Sequence, residues 1–166
     1  MTEVFVKKLR AGENAHSALL EILDGALQRR YGLRLSELTY EKTEKGKPYF
    51  AEGKPFFNFS DSGEYVACAL SDCEVGVDIE KIREISDALC TRFLGGFRGT
   101  ESEKTAKWTR YESMGKMIGC GIPHGLKESE FVITGYTAED YIVSVCTKEE
   151  KCSSLIVINV QFADSV

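Results

Sequence analysis

What this sequence lacks narrows its class before any motif is considered. Its longest apolar run, Leu155 to Val160 with Asn159 inside it, falls far short of the roughly 20 residues that span a bilayer. Met1 to Arg10 holds no apolar stretch of signal-peptide length. No basic run is present, and the net charge is -5, so neither a nucleic-acid partner nor a membrane is expected. The six cysteines (Cys68, Cys73, Cys90, Cys120, Cys146 and Cys152) include no C-x-x-C pair, and His16 and His124 stand apart from them. A zinc site is therefore not expected. Nothing marks the chain as secreted, so the thiols are expected to be reduced, with Cys68 and Cys146 as buried free thiols in apolar strands. There is no low-complexity segment and no obvious repeat. A soluble, cytoplasmic monomer is expected.

What is present suits one α+β domain with a real core: 166 residues, 43% hydrophobic and 28% charged. A short strand is predicted at Val4 to Val6. An amphipathic helix follows over Asn14 to Tyr31, with Leu19, Leu20, Ile22, Leu23, Ala26 and Leu27 at helical spacing. Asn14 caps its start, and Arg29 and Arg30 before Gly32 mark its end. Gly46 to Phe50 and Phe56 to Glu64 read as short extended pieces, each ended by turn residues. Tyr65 to Leu70 and Val75 to Glu80 read as a hairpin across Ser71-Asp72-Cys73-Glu74. Ser86 to Leu94 reads as a short helix. Thr100 and Glu103 form a capping box for a longer one, which Gly119, Gly121 and Pro123 end. Phe131 to Thr134, Tyr141 to Val145 and Leu155 to Val160 suggest an antiparallel meander.

The stretch Val75-Gly76-Val77-Asp78-Ile79-Glu80 carries the chemistry. Its alternation puts Val75, Val77 and Ile79 on one strand face and Gly76, Asp78 and Glu80 on the other. Two carboxylates so placed repel each other unless a cation or a proton lies between them. On the long helix, Trp108, Glu112 and Lys116 stand at i, i+4 and i+8, and Trp108 is expected to be buried between helix and sheet. Were that helix to pack over the strand, Asp78, Glu80 and Glu112 would converge on a magnesium ion, with Lys116 one turn on. Spacing alone leaves a second reading open, an exposed Glu112–Lys116 ion pair worth roughly 0.3–0.5 kcal/mol.

Four blocks occur in order. They are Gly46-Lys47-Pro48-Tyr49, then Phe57-Asn58-Phe59-Ser60-Asp61-Ser62-Gly63, then Gly76-Val77-Asp78-Ile79-Glu80, and finally Trp108 to Lys116 followed by Gly119-Cys120-Gly121. Together they resemble the 4'-phosphopantetheinyl transferase family, in particular its surfactin-synthetase-activating subgroup, and Asn14 to Leu20 resembles that subgroup's first helix. The resemblance runs from about Asn14 to Ile122. It implies a single domain of two related α+β lobes, about 1–74 and about 75–166, with coenzyme A between them. It implies Asp78, Glu80 and Glu112 as ligands of Mg2+, Glu112 and Lys116 as catalytic residues, and Lys47 and Pro48 as adenine-side contacts. Ser60 and Asp61 fall beside the coenzyme. The implied reaction moves the phosphopantetheine arm of coenzyme A onto a serine of an acyl or peptidyl carrier protein.

This chain also departs from the family. Basic residues before the first helix are few (Lys7, Lys8 and Arg10). Ser17 stands where the family has an arginine, Asp61 where it has a histidine, and Tyr111 where it has a lysine. Each lost charge-assisted hydrogen bond to the coenzyme costs about 1.5–3 kcal/mol. Two other readings follow: a silent relative that binds carrier protein or coenzyme fragments, and a magnesium-dependent nucleotide pyrophosphohydrolase.

Overall fold

The structure, a computed structural model, describes residues 1–121, 125–138, 140–152 and 154–159. Pro123 and Val160, which enter the sequence reading above, lie outside them. In chain order the elements are β1 (Thr2–Lys8), α1 (Ala15–Tyr31), β2 (Tyr40–Lys42), β3 (Pro48–Phe50), β4 (Phe56–Ser62), β5 (Tyr65–Ser71) and β6 (Val75–Lys81). Then come α2 (Asp87–Phe93), α3 (Glu101–Ile118), β7 (Val132–Thr137), β8 (Tyr141–Thr147) and β9 (Leu155–Asn159). The fold is α+β, as expected. No helix among the described residues is long and apolar enough to cross a membrane.

Two sheets stack face to face, one ordered β4-β5-β1-β9 and the other β6-β8-β7, and β2 pairs with β3 as a separate ribbon. Val4, Val6, Ala67 and Ala69 of the first sheet meet Val77, Ile79, Val143 and Val145 of the second in a dry layer. The opposite face of the first sheet (Phe5, Val66, Cys68 and Leu70) is covered by Leu19, Ile22, Leu23 and Leu27 of α1. The outer face of the second is covered by α3, with α2 beyond it. Trp108 is buried there, packed edge-on against Phe93 of α2.

The helix-end signals are realised. Asn14 Oδ1 accepts from the Ser17 amide, Gly32 closes α1 at φ 68°, and Thr100 and Glu103 form the capping box of α3. Arg29 and Arg30 do more than complement a helix end, since they reach Glu3 and Asp72 and pin α1 to the first sheet.

Three expectations are corrected. First, β5 and β6 form no hairpin: β5 lies between β1 and β4, while β6 pairs with β8. Both strands are buried nearly throughout, so each needs cover on both faces, and the turn at Ser71 to Glu74 carries the chain from one sheet to the other. Second, β7 and β8 pair antiparallel, but β9 leaves them and pairs parallel with β1, with Thr2 opposite Leu155. Third, Cys73 and Cys152 are joined in a disulfide, whereas Cys68, Cys90, Cys120 and Cys146 are free. The pairing of Thr2 with both Ser71 and Leu155 brings the two cysteines to the same end of β1, and the Thr2 hydroxyl donates to the Cys152 carbonyl. A separation of 79 residues left no local trace of that meeting.

At Gly76 the backbone of α3 lies directly on β6. A methyl group there would stand 2.1 Å from the Ser113 carbonyl oxygen and 2.4 Å from the Met117 amide of α3. Both neighbours are backbone, so nothing cheap can move aside. Around the contact α3 presents small residues. Thr109 Oγ1 meets Ser144 Oγ of β8 at 2.7 Å, and Thr105 Oγ1 donates to the Arg83 carbonyl at 3.1 Å. Gly76→Ala is expected to lower stability by about 3 kcal/mol, the upper end of overpacking costs. Urea unfolding of the purified variant measures it.

Candidate metal centre and its cleft

The face of β6 that Gly76 opens is the face of Asp78 and Glu80. With α3 seated on that glycine, Glu112 comes down over both acids. One ligand atom from each of Asp78, Glu80 and Glu112 lies within 4.8 Å of the others. Asp78 is only 2% exposed. Ser60 Oγ donates to its Oδ1 at 2.9 Å, and Lys116 Nζ donates to the same oxygen at 2.7 Å. Its other oxygen, Oδ2, is buried with no hydrogen-bond partner among the described residues. Glu80 accepts from Ser62 Oγ at 2.8 Å, and the Arg83 guanidinium lies 3.3 Å from Oε1. The strand–helix convergence expected from spacing is therefore present, and the exposed ion-pair alternative is not: Lys116 pairs with Asp78 rather than Glu112.

Burial at this crowded place perturbs Glu112 and Asp78. Burial raises the carboxyl of Glu112 from an ordinary 4.5 to about 7; the charges of Asp78 and Glu80 add to the rise, and Lys116 opposes it. Burial also raises Asp78, against Lys116 and Ser60, which favour its charged form. An orphaned carboxylate oxygen among three acids is a donor set for a hard cation, which replaces the missing partner and relieves the repulsion.

A cleft of about 320 Å³ opens beside the acids, lined by Lys45 to Pro48, Asn58, Phe59, Glu112, Gly115 and Lys116 among others. Lys47 and Pro48 thus border it. The Lys47 stem lies over Gly119, and its ammonium donates to the Met117 carbonyl at the end of α3, with burial lowering its pKa. Ser60 lies beneath the cleft and is 3% exposed. Asp61 is on the opposite face of β4 from Ser60. It is exposed in a second hollow with His16, Tyr40 and Lys42, and is not among the clustered acids. Of the other departures, Ser17 sits in the cap of α1, and Tyr111 is buried with Trp108 and Phe93.

Sequence reasoning missed Ser62 and Arg83, the partners of Glu80. The signal for the first was present: in Asn58-Phe59-Ser60-Asp61-Ser62 the small polar residues recur at every second position, the period of a strand face.

Fold and site together define an α+β protein with a carboxylate cluster at the end of a cleft, and proteins of known function carry the comparison further. The chain is similar to 4'-phosphopantetheinyl transferases. It is 33% identical over 126 residues to the 4'-phosphopantetheinyl transferase Sfp of Bacillus subtilis (strain 168), covering 66% of this chain and 55% of that protein. It is 31% identical over 111 residues to the 4'-phosphopantetheinyl transferase psf-1 of Bacillus pumilus, covering 60% and 48%. It is 32% identical over 124 residues to the 4'-phosphopantetheinyl transferase gsp of Aneurinibacillus migulanus, covering 66% and 52%. The chain spans about half the length of the curated relatives it matches. No family model matches it. The resemblance carried by the four motif blocks is borne out.

The raised carboxyls make the metal-free protein sensitive to pH. The folded chain holds the Glu112 proton more tightly than the unfolded chain does. That contribution to stability is complete below about pH 4.5 and is lost as pH rises through about 7, in the same direction as that of Asp78. Glu112→Gln is expected to flatten this loss, leaving the variant more stable than the parent above pH 7. Urea unfolding across pH with a chelator present tests it.

Proposed function

We propose that this chain is a magnesium-dependent 4'-phosphopantetheinyl transferase, moving the arm of coenzyme A onto a serine of an acyl or peptidyl carrier protein. The observation that carries the reading is the convergence of Asp78, Glu80 and Glu112 next to Lys116 at the cleft, in a chain similar to proteins of that name. Three carboxylates with one unpartnered buried oxygen fit Mg2+, which prefers oxygen ligands. Bound there, the cation would offset negative charge on the coenzyme's pyrophosphate. Asp78, Glu80 and Glu112 would hold it. Glu112 takes the proton of the attacking serine hydroxyl as its oxygen bonds to phosphorus. The phosphorus–oxygen bond to 3',5'-adenosine diphosphate breaks, and Lys116 steadies the departing oxygens. Lys47 and Pro48 border the adenine side, Asp61 stands beside the coenzyme's terminal phosphate, and Ser60 lies below. The reading places the chain in the cytoplasm as a monomer.

A second reading, a relative that binds carrier protein or coenzyme without transfer, is favoured by three observations. Tyr111 is turned into the helical core, Ser17 is used in a helix cap, and Asp61 puts a carboxylate in the hollow beside His16. Incubation with apo-carrier proteins, Mg2+ and coenzyme A, followed by intact mass of the carrier, decides between the two. An arm added to the carrier supports transfer, and bound coenzyme with an unmodified carrier supports the silent relative. Coenzyme cleaved without any carrier would instead mean a pyrophosphohydrolase.

Asp78→Ala and Glu112→Gln are each expected to abolish transfer while the circular dichroism spectrum is retained. Full transfer by both variants removes the assigned triad. Asp61→His is expected to tighten coenzyme A more than its 3'-dephospho form, since a histidine can donate to a phosphate that a carboxylate repels. Calorimetry with Mg2+ present compares the two ligands, and equal effects on both place Asp61 away from the terminal phosphate.

A further inference from the structure

β4 and β6 run side by side at the junction of the two sheets without a backbone ladder between them. Side chains of β4 supply the hydrogen bonds instead. Asn58 Oδ1 accepts from the Val77 amide at 3.1 Å, Ser60 Oγ from Ile79 at 3.1 Å and Ser62 Oγ from Lys81 at 3.3 Å. The offset is 19 residues each time, so the strands are parallel and in register. At an offset of 18 the same two serines donate to the acids, Ser60 to Asp78 and Ser62 to Glu80.

We infer that Ser60 and Ser62 are positioning residues for the cation centre, each fixing the orientation of one strand carboxylate beside Glu112. A serine hydroxyl has one proton to donate and two lone pairs. Ser60 gives its proton to Asp78 and receives from the Ile79 amide and from Lys116 Nζ, the last at 2.6 Å. Its capacity is full and it is buried, so it acts through Asp78 and not by touching the coenzyme, as the family resemblance would have it. Ser62 donates to Glu80 Oε2 and receives from the Lys81 amide, while Arg83 spans both oxygens of that carboxylate from the exposed side. The result on Asp78 is visible: Oδ1 is held twice and Oδ2 is left for the cation. Asn58 repeats the seam bond, but the residue at its offset of 18 is Gly76, which has no side chain to orient.

The inference rests on the proposed role of the three acids in holding Mg2+, and Mg2+ alone is the probe. Calorimetry on the full chain is expected to show Ser62→Ala binding the ion about ten- to a hundred-fold more weakly, the usual effect of losing an outer-shell partner. Ser62→Thr, which keeps the hydroxyl, is expected to restore binding. Asn58→Ala loses a bond of the same seam with no carboxylate attached, and is expected to lower the unfolding temperature while keeping Mg2+ affinity. Parent-like affinity in Ser62→Ala overturns the inference. So does an equal loss in Asn58→Ala, because the seam alone would then account for it. A parent chain that binds no Mg2+ also overturns it. Absence of carrier modification alongside the expected Mg2+ pattern removes the proposed transfer and leaves the positioning role supported.

Discussion

Everything at the site depends on how near α3 comes to β6, and that distance is set by a missing side chain. At Gly76 the helix backbone lies where any Cβ would stand. The strand's next two outward positions carry Asp78 and Glu80, and the helix turn that rests on the glycine carries Glu112 and Lys116. A helix held one methyl further out would keep all four residues and separate their charges. The polar stripe of Thr105, Thr109 and Ser113 serves the same approach, because small hydroxyl side chains find partners at short range where larger ones would prop the helix away.

Close approach has an electrostatic cost, and the molecule does not neutralise it fully. Lys116 answers one of three acids, and Arg83 reaches another from the solvent side. Glu112 has neither, and holds its proton up to about pH 7. Buried like charges without compensation destabilise a fold unless something else binds there. The strain is concentrated at a cleft with room for a ligand, as expected of a site built for binding before stability.

Much of this was legible in the sequence, because the signals concerned were local. Asn14, Thr100 with Glu103, Gly32 and Gly119 act within one helical turn of themselves, and the alternation from Val75 to Glu80 needs only a strand. The pairing of β5 with β6 was misread because turn residues such as Ser71 and Asp72 serve a hairpin and a crossing between sheets equally well. A strand buried on both faces also carries no alternation to say which neighbour it takes. The partner of β9 depends on a contact between Thr2 and Leu155, and the Cys73–Cys152 link on one across 79 residues. The acids themselves were found from spacing, but what orients two of them was not. Ser60 and Ser62 donate to acids 18 residues away and, like Asn58, accept from the backbone of that strand 19 residues away, a relation with no local signature beyond their period of two.

The return of β9 has a consequence for how the chain is made. β1 is made before β9, yet one of its two edges is filled only by that later strand, with Thr2 opposite Leu155. Synthesis from the N-terminal side therefore leaves β1 and β5 paired but open on one side until β9 has been extruded. An exposed edge of Val4, Phe5 and Val6 is an adhesive surface for other nascent chains. Of the strands in that sheet, the one that covers this edge is the last to be made.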